Sequence, residues 1–217
     1  MLNPYALALA AALALAAHAP LQAAPPPTIT EDGLQRVENR NFDRLYRRPG
    51  ADFAPYTKVL IAPANVSFRS SWNPRDYGRF GLRPDEVNRI RTELAELVRE
   101  AFVEVLKEGR YQVVDEPGPD VLEVHPDIVD LVVNAPQPQE PGRVRTYVLS
   151  AGEMTLALEA RDSVTGTVLA RVRDRKRDPD TGTLKWATSA SNRADARRAL
   201  RAWATQLRGA LDAARMR

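Results

Sequence analysis

His125 lies in the segment His125-Pro126-Asp127-Ile128-Val129-Asp130, and the only other histidine of the chain, His18, falls in the apolar first segment. His125, Asp127 and Asp130 could offer one nitrogen and two carboxylates to a cation. Zinc centres draw on more nitrogen or sulfur ligands than a single imidazole, so His125 is read as a strand residue beside a bulge, and no metal is expected. Asp178-Pro179-Asp180-Thr181-Gly182 opens like a calcium loop, but its twelfth position is Ser189, where such a loop needs glutamate. Asp115, Glu116 and Asp120 crowd a Pro/Gly turn. Only a convergent pair of carboxylates could hydrolyse a glycosidic bond, which leaves a carboxylate-based hydrolase as a remote alternative. The chain has no cysteine, which excludes disulfides, thiolate zinc sites, cysteine nucleophiles and lipidation at cysteine. Neither a Gly-x-Ser-x-Gly elbow nor a glycine-rich phosphate loop occurs. The chain is therefore expected not to be an enzyme and to need no cofactor.

Residue types suited to binding concentrate between Arg69 and Arg83. Trp72, Tyr77 and Phe80 stand there among Arg69, Arg75 and Arg79. Aromatic rings and guanidinium groups offer rigid area and planar donors, the chemistry of binding hot spots. Lys185 and Trp186 form a second, smaller group. These eight residues are the candidate contact surface. The competing reading is that the aromatic side chains merely cover a sheet edge or a helix end.

The elements that position these residues follow from periodicity. Thr57–Arg69, with Val59-Leu60-Ile61-Ala62 apolar on both parities, predicts a central strand. Asp85–Glu108 carries a helical stripe through Val87, Ile90, Leu94, Leu97, Ala101 and Val105, opened by Pro84 and closed by Gly109. Tyr111–Asp115 and Val121–Val133 predict further strands, and Pro126 calls for an edge or a bulge. Residues 135–144 hold three prolines, Pro136, Pro138 and Pro141, and predict a loop.

Met154, Leu156, Leu158 and Ala160 alternate with polar residues, as do Val168, Ala170 and Val172. A two-residue turn at Thr165-Gly166 would set Ala160 opposite Arg171. A three-residue loop, Val164-Thr165-Gly166, sets Ala160 opposite Ala170 and Leu158 opposite Val172. Only the second keeps both faces consistent, with Gly166 left-handed. It also places Glu159 opposite Arg171 and Glu153 opposite Arg177. Ser191–Ala214 predicts a second helix on Leu200, Trp203, Leu207 and Leu211, with Arg193, Arg197, Arg198, Arg201 and Arg208 around it. The expected fold is α/β (α+β): a two-layer sandwich with a largely antiparallel or mixed sheet of about five strands and two main helices, in the order β-α-β-β-β-β-α.

Residues 1–24 contain no Asp, Glu, Lys or Arg, and Ala6–Ala17 alternates Ala and Leu before small residues and Pro25-Pro26-Pro27. This is a signal-peptide plan, too short for a comfortable membrane span. Residues 1–23 are read as that signal, 24–56 as a Pro-rich tether with an irregular lead-in, and 57–217 as one domain. The expected location is the periplasm. The 217 residues carry a net charge of +3, and all but four of the 31 Lys and Arg are arginine. Arginine richness fits a GC-rich genome as well as an anionic partner.

Several stretches together resemble a known family. They are Arg48-Pro49-Gly50-Ala51-Asp52, Lys58-Val59-Leu60-Ile61-Ala62-Pro63, Val66-Ser67-Phe68-Arg69 with Trp72, and Val113-Val114-Asp115 with Pro119-Asp120-Val121. Val133-Asn134-Ala135-Pro136, Ser150-Ala151-Gly152-Glu153-Met154-Thr155 and Arg161-Asp162-Ser163-Val164-Thr165-Gly166 complete the set. In this order, over about residues 28–214, they resemble the bacterial lipoprotein-type family known as domain of unknown function 3313. The resemblance implies an envelope protein and supplies no catalytic residues, and this chain departs from it in lacking a lipidation cysteine. The expected function is a binding or structural module with an envelope protein or polymer as partner. The alternative is an anionic lipid or polysaccharide surface bound through the basic last helix; no nucleic acid is expected.

Overall fold

The computed structural model describes residues 26–76, 82–134, 150–177 and 189–215. Its elements are β1 (Gln35–Val37), β2 (Arg44–Arg47), β3 (Lys58–Ile61), β4 (Val66–Phe68), α1 (Pro84–Lys107), β5 (Gln112–Val114), β6 (Val121–Asn134), β7 (Ser150–Asp162), β8 (Val168–Arg177) and α2 (Ser189–Arg215). The strands form one sheet in the order β1-β2-β8-β7-β6-β3-β5, with β4 also beside β6. β3 pairs parallel with β5 and β6, while β6, β7, β8 and β2 are antiparallel in succession. The α+β class and the mixed sheet are those expected, but the strand count is eight, not about five.

The extra strands have physical causes. β1 and β2 arise from the segment read as an irregular lead-in. Leu45 pairs with Val172, and buried Phe42 joins the main core. The expected first strand is split, because chain 62–65 leaves the ladder between β3 and β4. Pro126 explains how β6 survives. Ala62 N donates to Val124 O and Ile128 N donates to Asn65 O, so the even-numbered residues of β6 from Val124 to Ile128 turn their backbone groups toward β3 and β4. Pro126, which has no N–H to donate, falls at the gap between them. The sheet thus tolerates an interior proline by breaking its neighbour, and β6 needs no edge position.

The β7–β8 hairpin adopts the register that kept the faces consistent. Leu158 pairs with Val172, Glu159 with Arg171 and Ala160 with Ala170, and Gly166 has φ 70°. Asp162 Oδ1 accepts from Val164 N at 3.2 Å, Thr165 N at 2.7 Å and Thr165 Oγ1 at 2.8 Å, so it organises the turn. Its other oxygen accepts from Tyr56 Oη at 2.8 Å. Burial, and then that hydrogen bond, push the Tyr56 phenol up to about 12.

Both helices cover one face of the sheet. Leu94, Leu97, Val98, Phe102 and Val105 of α1 and Leu200, Trp203, Leu207 and Leu211 of α2 close over Val124, Ile128, Leu156, Leu158 and Val172. Glu86 caps the start of α1 by accepting from Arg83 N at 2.7 Å. Arg197, Arg201 and Arg208 of α2 reach Glu100, Glu104 and Glu108 of α1, numbers rising together along both helices. These exposed pairs set alignment more than stability.

One polar group lies deep in this layer. Asp174 is buried, and its carboxylate accepts from Trp203 Nε1 at 2.6 Å and from Asp43 N at 2.9 Å. Trp203 is itself fully buried. Asp174→Ala would leave a buried indole N–H and a partly buried amide without their acceptor. We expect a loss of about 3 kcal/mol from an orphaned donor and a lost charge-assisted bond, measured by urea denaturation. A loss under about 0.5 kcal/mol would show that water replaces the carboxylate at no cost.

Candidate functional site

With the helices on one side, alternation places the odd-numbered residues of β7, of β6 from Glu123 to Val129 and of β8 from Arg171 on the open side; past the bulge at Asp130 the parity of β6 reverses, and Leu131 and Val133 join the core. The register defines two rows across four strands. One row runs Tyr46, Arg171, Glu159, His125 from β2 to β6. The next runs Arg44, Arg173, Ala157, Asp127. Every neighbour of Ala157 in these rows is larger, so the methyl group at its centre forms the floor of a groove of about 430 Å³. Four arginines (Arg44, Arg161, Arg171, Arg173) line it against two carboxylates (Asp127, Glu159), with Tyr46, Asn65 and His125 completing the polar wall.

The charges are differently engaged. Glu159 accepts from Arg161 Nε at 3.0 Å and Arg171 Nε at 2.8 Å. Burial raises its pKa, but the hydrogen bonds and charges of Arg161 and Arg171 outweigh that and hold it below the usual glutamate value. Arg171 also pairs with Asp32, which ties the lead-in to this face. Asp32 is lowered by its hydrogen bond to Thr30 first and by Arg171 second. Arg173 reaches Asp130 at 2.6 Å, and Asp127 accepts from Asn65 N at 2.8 Å. Arg44 is exposed and has no ion-pair partner among the described residues. It stands directly opposite Arg173 in the ladder, where like charges repel.

Of the contact residues expected from the sequence, three fall within the described residues. Arg69 pairs with Glu153, which Arg175 also reaches, so Arg69 belongs to the far end of this open face. Trp72 is half-buried and stacks on Phe68 with centroids 4.1 Å apart, on the helix side. Arg75 is exposed within the short 3₁₀ turn Pro74–Asp76. Tyr77, Arg79, Phe80, Lys185 and Trp186 lie outside the described residues, as do the Asp178–Gly182 turn and the signal segment 1–23. The structure therefore does not bring the described members together as one patch. Sequence reasoning missed the groove, because its residues come from alternate positions of four strands. The signal available was the run Arg171, Arg173, Arg175 on one parity of β8, set against small Ala157 on β7.

The chemical candidates disperse. His125 Nε2 lies 3.0 Å from Glu123, and Asp127 and Asp130 go to Asn65 and Arg173. Asp115 pairs with Arg99 and Asp120 with Lys58. Among the described residues no group of three or more His, Asp and Glu could hold a metal ion, and no helix is long and apolar enough to cross a membrane. On α2, Arg197, Arg201 and Arg208 are engaged by α1 and Arg198 by Asp195.

Comparison with known proteins follows the fold. A family model described as a protein of unknown function, DUF3313, matches residues 27–207. No curated protein matches the chain. Similar solved structures include the PelC dodecamer from Paraburkholderia phytofirmans, at 10% identity and TM-score 0.39, covering 76% of this chain and 96% of that one. A Xanthomonas campestris protein of the DUF330 family shows 14% identity and TM-score 0.41 over 75% and 87% of the two chains. A DUF4136 family protein from Bacteroides thetaiotaomicron shows 12% and 0.33 over 73% and 95%. At these values none of them bears on what this chain binds.

The depressed pKa of Glu159 makes a pH prediction. A carboxyl group held below its unfolded value contributes stability that is present above the ordinary value of 4.5 and is lost as pH falls through the folded value. Glu159→Gln should cost on the order of 1 kcal/mol at neutral pH. It should also lose less stability than the parent as pH drops below about 5. Parallel stability curves for the two proteins across that range would contradict the prediction.

Proposed function

The chain belongs to the DUF3313 family, a family of unknown function, and from that premise we propose that it is a non-catalytic binding module of the bacterial cell envelope, exported to the periplasm. The observation that carries the binding reading is the uncovered sheet face with its arginine-lined groove. A sheet face of mixed charge, built on rigid strands, holds side chains in fixed positions at little conformational cost to a partner. The export reading rests on the uncharged Ala/Leu segment at residues 6–17 and the small residues after it. The non-catalytic reading is supported by the dispersal of the candidate acids, each held by a different basic or amide partner.

Two measurements on the full-length tagged protein in its bacterial host test this reading. Osmotic shock should release it with a mature amino terminus near Ala24; retention of Met1 in the cytoplasm would end the export reading. Cross-linking in the envelope should capture a component that Ala157→Trp, which fills the groove, reduces at least ten-fold, while Arg198→Ala on the helix side leaves capture unchanged. Equal loss from both variants, or from neither, would remove the open face as the contact surface.

A further inference from the structure

Resting on the open face as the binding surface, we infer that Arg44 and Arg173 form a clamp for the carboxylate of an acidic sugar, held over Ala157 in the groove. Three observations lead to this occupant. The first is charge. Four arginines against two carboxylates line the groove, and Arg44 and Arg173 stand in direct cross-strand register. Two guanidinium groups so placed repel each other, and a planar oxyanion between them turns that repulsion into two charge-assisted contacts. Arg173 has Asp130 on one side, but Arg44 has no anion among the described residues.

The second is the opposite wall. Asp127 faces the clamp across Ala157 in the same row, with Asn65 bonded to it at 2.8 Å and His125 one row away. Carboxylate and amide oxygens accept from hydroxyl groups, and imidazole can donate or accept. A ligand with a carboxylate at one end and hydroxyls at the other matches this polarity from wall to wall. The third is what the groove lacks. Only Ala157 and Val172 are aliphatic among its lining residues, so an acyl chain or a hydrophobic peptide side chain would desolvate the flanking guanidinium and carboxylate groups without replacing their hydrogen bonds. Its volume of about 430 Å³ falls within the range of small-molecule sites.

The test is calorimetric titration of the full chain with a galacturonate trimer, its fully methyl-esterified form, and inorganic phosphate. The acid trimer should bind saturably, and the ester at least ten-fold more weakly. Arg44→Gln and Arg173→Gln should each weaken the acid trimer at least ten-fold. Arg44→Gln should melt at or above the parent temperature, because it relieves a like-charge pair, so loss of binding cannot be a loss of fold. Equal binding of acid and ester, or unchanged binding by both variants, overturns the clamp. Phosphate binding as tightly as the trimer overturns the sugar, leaving an unselective anion site. If the trimer fails to bind while envelope capture is still lost in Ala157→Trp, the carboxylate assignment fails alone. If capture is also indifferent to that variant, the open face fails with it.

Discussion

The carboxylate of Asp174 is the constraint on which the two-layer arrangement depends. It sits on the helix side of β8, buried, where an unpaired charge would be strongly unfavourable. Its two oxygens are satisfied by groups from distant parts of the chain: the Trp203 indole of α2 and the amide of Asp43, 131 residues earlier. Asp43 replies through its own carboxylate, which accepts from Arg175 N at 3.0 Å. A buried charge can be neutral or worse for net stability even when hydrogen-bonded, but the geometry it enforces is specific. Here it fixes α2 over β8 and delivers β2 to the edge of the same strand. Once α2 and α1 occupy one side, the alternation of the central stretches of β6, β7 and β8 leaves His125, Asp127, Ala157, Glu159, Arg171 and Arg173 on the other.

That open side is polar for a simple reason: no third layer exists among the described residues to bury it. Its particular pattern is less general. Charges on an exposed strand face can be interspersed at little cost when each meets an opposite neighbour across the ladder. Glu159 directly opposite Arg171 follows that rule, and Glu153 is met by Arg69 and by Arg175, diagonal to it on β8. The row through Ala157 does not. It sets two arginines together and a methyl group where a neutralising side chain would fit. Departures from local consistency of this kind are where function is sought in a fold that otherwise obeys its own patterning.

Much of the fold was legible because it rests on short-range regularities. The stripe from Ile90 to Val105 fixes α1, and the requirement that Leu158 meet Val172 fixes the hairpin register without any structural information. β2 was not legible. Arg44-Leu45-Tyr46-Arg47 is only four residues, and what makes it a strand is a partner on β8 and the Asp43–Asp174 latch, both remote in sequence. Pro126 misled for a similar reason. A proline within a strand argues for an edge, and here the missing donor is absorbed by a gap in the adjacent strand, which only the sheet order reveals. The site was the least legible part. Arg69 and Trp72 are neighbours in sequence, yet they turn to opposite faces, one to Glu153 and the other to Phe68. Arg44, Ala157 and Asp127 are far apart in sequence and meet only through the ladder.

The contrast between Arg44 and the other arginines explains why the groove, rather than the whole face, is where we place the contact. An arginine already held by a carboxylate gains little from a further anion, since the new contact must compete with an existing one and with water. Arg161, Arg171 and Arg175 are in that condition. Arg44 is not, and its cross-strand neighbour Arg173 gives only one side of its fork to Asp130. The unspent capacity for hydrogen bonds to an oxyanion is therefore concentrated at two guanidinium groups. Between them and Asp127 lies the smallest side chain of the row. Strand backbone fixes the spacing of all four positions before any ligand arrives, so the free energy of such a contact is not consumed in ordering the site.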